Sequence, residues 1–350
     1  QTSTMGNDGG DDDAFWSIAL DNQCEPALHD DDDSDDAVEQ EDHGGCVART
    51  RTYHIPPVGG PIDYNAKDCS ATKLRLASLP PTDGVWSPVG ADAWYASALL
   101  ASLLLLWNPD HHHAVDDLET TRHPFDSLPL TLRPSSNASN DHGGNQKKTI
   151  VELGSGAVGL SGFVCALALD YWLTKLAPET SPEEQPKWRV LLTDNDNAVL
   201  DRLRKNLSNN QSTIIPSSSS GSMVDVEVDA WDWNEELPAS GSLRDDVVLV
   251  IGSELVYTQE TAEACVQLLL RLRNNHPAVE IWIVQVTDRL GWWDIVVPTL
   301  ENNHVVVKSI PILLQHHEMA STMVPMGGTL DRHAYGAFCI HQTMTCSTQR

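Results

Sequence analysis

Seven strand-like runs that alternate with helix-like segments, a glycine-rich turn between the first of these pairs, and apolar residues concentrated between residues 85 and 338 predict an α/β fold. The expected form is a doubly wound, mainly parallel seven-stranded sheet with helices on both faces.

Each element follows from its own pattern. TIVEL at 149–153 is β-branched and stops at Gly154, and residues 157–170 continue with apolar side chains at helical spacing. Residues 188–193 form a second apolar run, and 197–207 set Val199, Leu200, Leu203 and Leu207 on one helical face. Residues 223–228 alternate as a strand does, 247–251 are continuously apolar, and 261–272 are a leucine-rich helix. Strand 279–286, helix 292–302 and strands 304–308 and 334–340 complete the series. Upstream, residues 93–107 are apolar apart from two serines and a tyrosine. That run falls short of the roughly 20 residues that cross a bilayer, so it predicts a buried helix and no membrane partner.

Three segments rich in Pro, Ser and Asn, at 108–148, 178–186 and 208–222, break the rhythm and read as surface loop insertions. The first carries His111, His112 and His113, but three adjacent side chains cannot all face one ion in regular structure, so no metal site is expected. Sequons begin at Asn137, Asn206 and Asn210, and without a secretory signal they carry no expectation of glycosylation.

Charge sets the remaining boundaries. The first 45 residues hold 15 Asp and Glu and no Lys or Arg, too polar a stretch to offset the entropy of ordering it. Residues 1–48 therefore read as a disordered acidic tail, 49–84 as an extension and 85–342 as the folded domain. Without those acids the formal charge falls only from −28 to −13, and an acidic surface repels phosphate backbones, so nucleic acid is not the expected substrate. The seven cysteines are scattered and never form a C-x-x-C pair, which points to reduced thiols in a cytoplasmic or nuclear setting.

The strongest chemical signal is VELGSGAVGL at 151–160, where Gly154, Gly156 and Gly159 form G-x-G-x-x-G between strand and helix. Glycines let the chain turn sharply and let a ligand approach the main chain, while the helix start offers unpaired N–H groups. The motif alone fits a nicotinamide dinucleotide or S-adenosyl-L-methionine. Glu152, two residues before the first glycine, would oppose a pyrophosphate but suit a positive amino group, which favours the latter. Asp194 ends the second strand, where a carboxylate can accept both ribose hydroxyls. It lies further along the chain than usual, and the 178–186 insertion accounts for much of the excess.

Together with VWSPVGADAWYASALLASLL at 85–104, LLTDNDNAVLDRLRKNL at 191–207, WDWNEELP at 231–238 and VVLVIGSELVY at 247–257, this motif resembles the class I, seven-β-strand, Rossmann-like methyltransferases of family 16. The resemblance implies a protein-lysine N-methyltransferase that uses S-adenosyl-L-methionine, with a protein substrate, and a basic segment is what the acidic surface would attract. It implies Glu254 and Tyr257, of the acidic-x-x-aromatic motif, as catalytic residues. Around the cofactor it implies Trp86, Glu152, Gly154, Gly156, Asp194, Asn195, Ser253 and one of Trp231 or Trp233, with Trp233 favoured by its spacing to Glu254. Many relatives carry Asp where this chain has Glu254. Arginine, histidine, a protein amino terminus or a small molecule remain open as acceptors. A nicotinamide-dependent oxidoreductase would need a His or Tyr–Lys acid-base set, which the sequence does not offer, and a non-catalytic scaffold would bind cofactor without transferring its methyl group.

Overall fold

The computed structural model describes residues 50–58, 72–79, 93–106, 147–176, 187–214, 223–235, 246–288, 291–324 and 335–342. Strands β1 (Thr50–Ile55) and β2 (Thr72–Ala77) pair antiparallel as a separate two-stranded sheet, and α1 (Tyr95–Leu105) follows. Then come β3 (Lys148–Leu153), α2 (Leu160–Leu176), β4 (Trp188–Asp194), α3 (Asn197–Ile214), β5 (Val224–Ala230) and β6 (Asp246–Ser253). After them lie α4 (Gln259–Asn275), β7 (Glu280–Val286), a π-helical turn at Trp292–Val296, α5 (Val297–Asn302), β8 (Val305–Ile310), α6 (Leu314–Met323) and β9 (Tyr335–Gln342).

The main sheet has seven strands in the order β5-β4-β3-β6-β7-β9-β8, all parallel except β9, which runs against both its neighbours. Its centre is apolar because both faces are covered. One core packs α1, α2 and α6 against Ile150, Val190, Ile251 and Val284, and the other packs α4 and the π turn against Val151, Val250, Ile283 and Phe338. Alternate residues of each strand thus enter opposite cores.

Every residue of α1 is buried, as its apolar run predicts. Ser97 and Ser102 stay satisfied there by donating to the carbonyls of Trp94 and Leu99, at 2.6 and 2.7 Å. Each fully buried leucine in such a position contributes about 2 kcal/mol.

Three features depart from the sequence reading. Residues 208–214, expected within a loop, are the last turns of α3. The reason is a pair of asparagines one turn apart. Asn206 accepts from the Ala77 amide at 2.9 Å and donates to the Ala77 carbonyl at 2.9 Å, while Asn210 does the same with Arg75 at 2.8 Å each way. Two amide side chains thereby stand in for a strand along the edge of β2, and the asparagines that begin both sequons are buried. The second departure is the β1–β2 hairpin within the 49–84 extension, whose Tyr53, Ile55, Leu74 and Leu76 enter the first core. The third is α6, whose mixed composition had suggested no element. The helix expected from 157 starts at Leu160, because the glycine turn occupies the intervening residues, and the expected helix 292–302 opens with a π turn. The expected tail at 1–48, insertion 178–186 and nearly all of 108–148 lie outside the described residues.

Candidate active site

Strand order creates the site. From β3 the chain passes through α2 to β4 on one side, and from β6 it passes through α4 to β7 on the other. The connections diverge between β3 and β6, which opens a crevice at their carboxyl ends where ligands settle in this architecture.

Gly154, Gly156 and Gly159 all take left-handed backbone, with φ of 59, 64 and 62°, which explains why each must be glycine. At Gly159 a methyl group would stand 2.4 Å from Leu203, so the third glycine also lets α3 approach. The turn is pinned to β4 on both sides of Ser155, whose amide donates to the Thr193 carbonyl at 2.9 Å and whose hydroxyl accepts from the Thr193 amide at 3.1 Å.

Glu152 lies beneath this turn, only 1% exposed. The Ser161 hydroxyl donates to its Oε1, and a side chain at Gly162 would meet its Oε2, so the carboxylate faces the first turn of α2. Burial pushes its carboxyl up to about 7, opposed by hydrogen bonds from Ser161, Ser155 and the Gly162 amide, and the charge of Asp194 adds to the rise. Glu152 and Asp194 therefore share one neighbourhood.

Asp194 is held at the end of β4. Its Oδ2 accepts from the Gly156 amide at 3.1 Å and its Oδ1 from the amides of Asn195 and Asp196 at 2.8 and 3.2 Å. A carboxylate has about four lone-pair sites, so one acceptor position remains after these three. Burial raises its carboxyl, and the three amides offset that rise. Asn195 itself is exposed.

The two tryptophans after β5 divide their roles. Trp231 is 2% exposed and belongs to the core, whereas Trp233 is half-buried and stands 3.4 Å from where a Cβ on Gly154 would lie, with Leu255 at 3.3 Å. The glycine turn, Trp233 and Leu255 thus form one cradle.

Ser253 is half-buried at the end of β6. Glu254, the next residue, takes φ of 52°, the left-handed region that a side chain with a Cβ enters at a cost of about 1–3 kcal/mol. It persists because its surroundings over-determine it: the Glu254 amide donates to the Val284 carbonyl at 2.9 Å, and its Oε1 accepts from the Val286 amide at 3.2 Å. Two residues on, Val256 is clamped by buried Gln285, whose Oε1 accepts from the Val256 amide at 3.1 Å and whose Nε2 donates to the Val256 carbonyl at 2.8 Å. Tyr257 follows, half-buried, its phenol pushed up by burial and by the charge of Asp194. Thr258 and Thr261 then close a capping box that starts α4.

The structure thus gathers Glu152, Gly154, Gly156, Asp194, Trp233, Ser253, Glu254 and Tyr257 along one sheet edge, with Asn195 at its rim. Trp86 lies outside the described residues. Ser155, Ser161 and Gln285 were missed by sequence reasoning, although a lone glutamine in the apolar strand EIWIVQV was a usable signal. Among the described residues, no cluster of three or more His, Cys, Asp or Glu could hold a metal ion, and no helix is long and apolar enough to cross a membrane.

A glycine turn between buried carboxylates, with an aromatic wall beside it, fits a cationic nucleoside. No curated protein matches the chain. Among solved structures it is similar to an rRNA methylase from Streptococcus thermophilus (11% identity, 63% of this chain and 97% of that one, TM-score 0.34). It is also similar to an S-adenosylmethionine-dependent methyltransferase from Aquifex aeolicus (17%, 67% and 98%, TM-score 0.32) and to a human methyltransferase 10 domain containing protein (10%, 58% and 75%, TM-score 0.32). The assignment rests on the family model of methyltransferase family 16, described as lysine methyltransferase, which matches residues 87–289. That match spans more than half of the chain and encloses the glycine turn, Asp194, Trp233 and the Glu254–Tyr257 loop; the chain belongs to this family and is an S-adenosylmethionine-dependent methyltransferase.

Proposed function

We propose that the chain transfers a methyl group to a lysine side chain of a protein. The observation that carries this reading is the Glu254–Tyr257 loop, which holds a strained carboxylate-bearing residue and a phenol at the crevice inside a match to a family described as lysine methyltransferase.

S-adenosylmethionine, when bound, supplies an electrophilic methyl on a sulfonium. The chain's residues position, shield and prepare the acceptor, which is most of what an in-line displacement asks of a protein. Trp233 and Leu255 wall the glycine turn on the nucleoside side, and the remaining acceptor position of Asp194 suits a ribose hydroxyl. Glu152 works from beneath, fixing Ser161 and the start of α2 while adding negative potential under a cationic ligand.

On the acceptor side a lysine must lose a proton before it attacks. At pH 7 this costs roughly 4.6 kcal/mol for an unperturbed amine, at about 1.36 kcal/mol per pKa unit. Glu254, whose carboxylate is anchored on the Val286 amide, orients the incoming ammonium, and Tyr257 packs along the side chain. Proton loss to solvent, N–C bond formation and S–C bond breakage then leave a methylated ammonium.

The test is transfer of tritiated methyl from S-adenosylmethionine to proteins of a lysate, followed by mass spectrometry of the labelled band. Methyl-lysine that disappears with Glu254→Ala supports the reading. Label on arginine, histidine or an amino terminus, or label unaffected by Glu254→Ala, overturns it.

A further inference from the structure

Beyond the Glu254–Tyr257 loop, the same edge of the sheet carries an aromatic cluster that neither the acidic-x-x-aromatic motif nor the cofactor cradle uses. Val286, whose amide is held by Glu254, pairs in register with Tyr335 at the start of β9. Residues directly opposite in an antiparallel pair project to the same face. The Tyr335 ring meets that of Tyr95, the first residue of α1, at 5.3 Å between centroids and 59° between planes. Tyr95 also stacks on His317 of α6 at 6.1 Å and 16°.

Hydrogen bonds tie the cluster together. The Tyr95 hydroxyl donates to the His317 carbonyl at 3.1 Å, and its oxygen stands 3.2 Å from His317 Nδ1. The Ser321 hydroxyl donates to the same carbonyl at 2.8 Å. Tyr95 is nearly covered, whereas Tyr335 and His317 are half-buried. Burial lowers the His317 imidazole, so the ring is uncharged near neutrality and does not repel a cation.

We propose that Tyr95, Tyr335 and His317 form the acceptor-side wall of the site, where π faces receive the alkyl stem and the cationic nitrogen of the incoming side chain. The proposal deepens the lysine reading and rests on it. Its logic is positional: the rings begin one β-ladder pair away from the backbone amide that Glu254 holds, on the side of β6 away from the glycine turn. Aromatic faces attract ammonium and methylated ammonium alike, so the wall also suits a lysine that already carries methyl groups.

The experiment is an NMR titration of the full chain, with S-adenosylhomocysteine present, using Nα-acetyl-lysine amide as probe and Nα-acetyl-norleucine amide as its neutral counterpart. Saturable binding of the lysine probe is expected, stronger than that of norleucine. Tyr335→Leu, which keeps apolar bulk but removes the π face, is expected to weaken it roughly fivefold, and Tyr335→Phe to retain it. His317→Leu provides a second variant with the same expected loss should Tyr335→Leu not fold. Unchanged affinity in the folded variant, or no saturable binding of the lysine probe to the wild type, overturns the wall. Methyl-lysine formation in the lysate without probe binding rejects the wall alone, whereas probe binding with label only on other acceptors rejects the lysine reading alone.

Discussion

At the scale of single residues, two side chains store free energy for the site. Glu254 sits at positive φ, a strained position for any residue with a Cβ. Glu254→Ala and Glu254→Gly both remove the carboxylate, and both are expected to lower turnover about 100-fold, the usual cost of misplacing reactants by an ångström. They differ in stability: glycine normally costs about 0.5–1 kcal/mol relative to alanine, and here that order is expected to vanish or reverse in urea denaturation. Glu152 stores energy differently. Its carboxyl rises in the folded state to about 7, so the neutral form's stability is fully present below the unfolded value near 4.5 and is lost as pH climbs through 7. Replacing it with Gln should remove that loss. Between pH 5 and pH 8 the wild type should fall by about 3 kcal/mol relative to Glu152→Gln, measured by chemical denaturation; parallel pH profiles would refute the buried-carboxyl account.

At the scale of elements, loops are set by side chains distant in sequence. Gln285 of β7 clamps Val256 through two buried hydrogen bonds, so Gln285→Leu leaves an amide and a carbonyl unpaired. The expected cost is about 1–3 kcal/mol per orphaned group, together with a drop in kcat that exceeds any change in S-adenosylhomocysteine affinity. The hairpin behaves oppositely. Asn210→Leu detaches Arg75 of β2 from α3 and should lower stability by about 2 kcal/mol while cofactor affinity stays within twofold, which calorimetry can check. These same elements show what was legible in the sequence. β3, β4 and β6 announce themselves because strands buried on both faces read as unbroken apolar runs. The hairpin, the end of α3 and the clamp were not legible, since each depends on a polar partner between 29 and 135 positions away. Tyr95 hid for a related reason, being one polar tip in a helix whose apolar run explains itself as core.

At the scale of the molecule, the reversal of strand order between β3 and β6 brings the glycine turn, Asp194 and the Glu254–Tyr257 loop to a single crevice. Family membership gives the cofactor, and in the proposed arrangement its nucleoside end lies on the β3–β4 side and the acceptor on the β6–β7–β9 side. Isothermal titration calorimetry of the full chain with S-adenosylhomocysteine, wild type against Asp194→Ala, tests that arrangement most directly. Saturable one-site binding that weakens by about tenfold or more in the variant is the expected result, given about 1.5–3 kcal/mol for a hydrogen bond to a charged group. Equal affinity in a folded Asp194→Ala protein would contradict it.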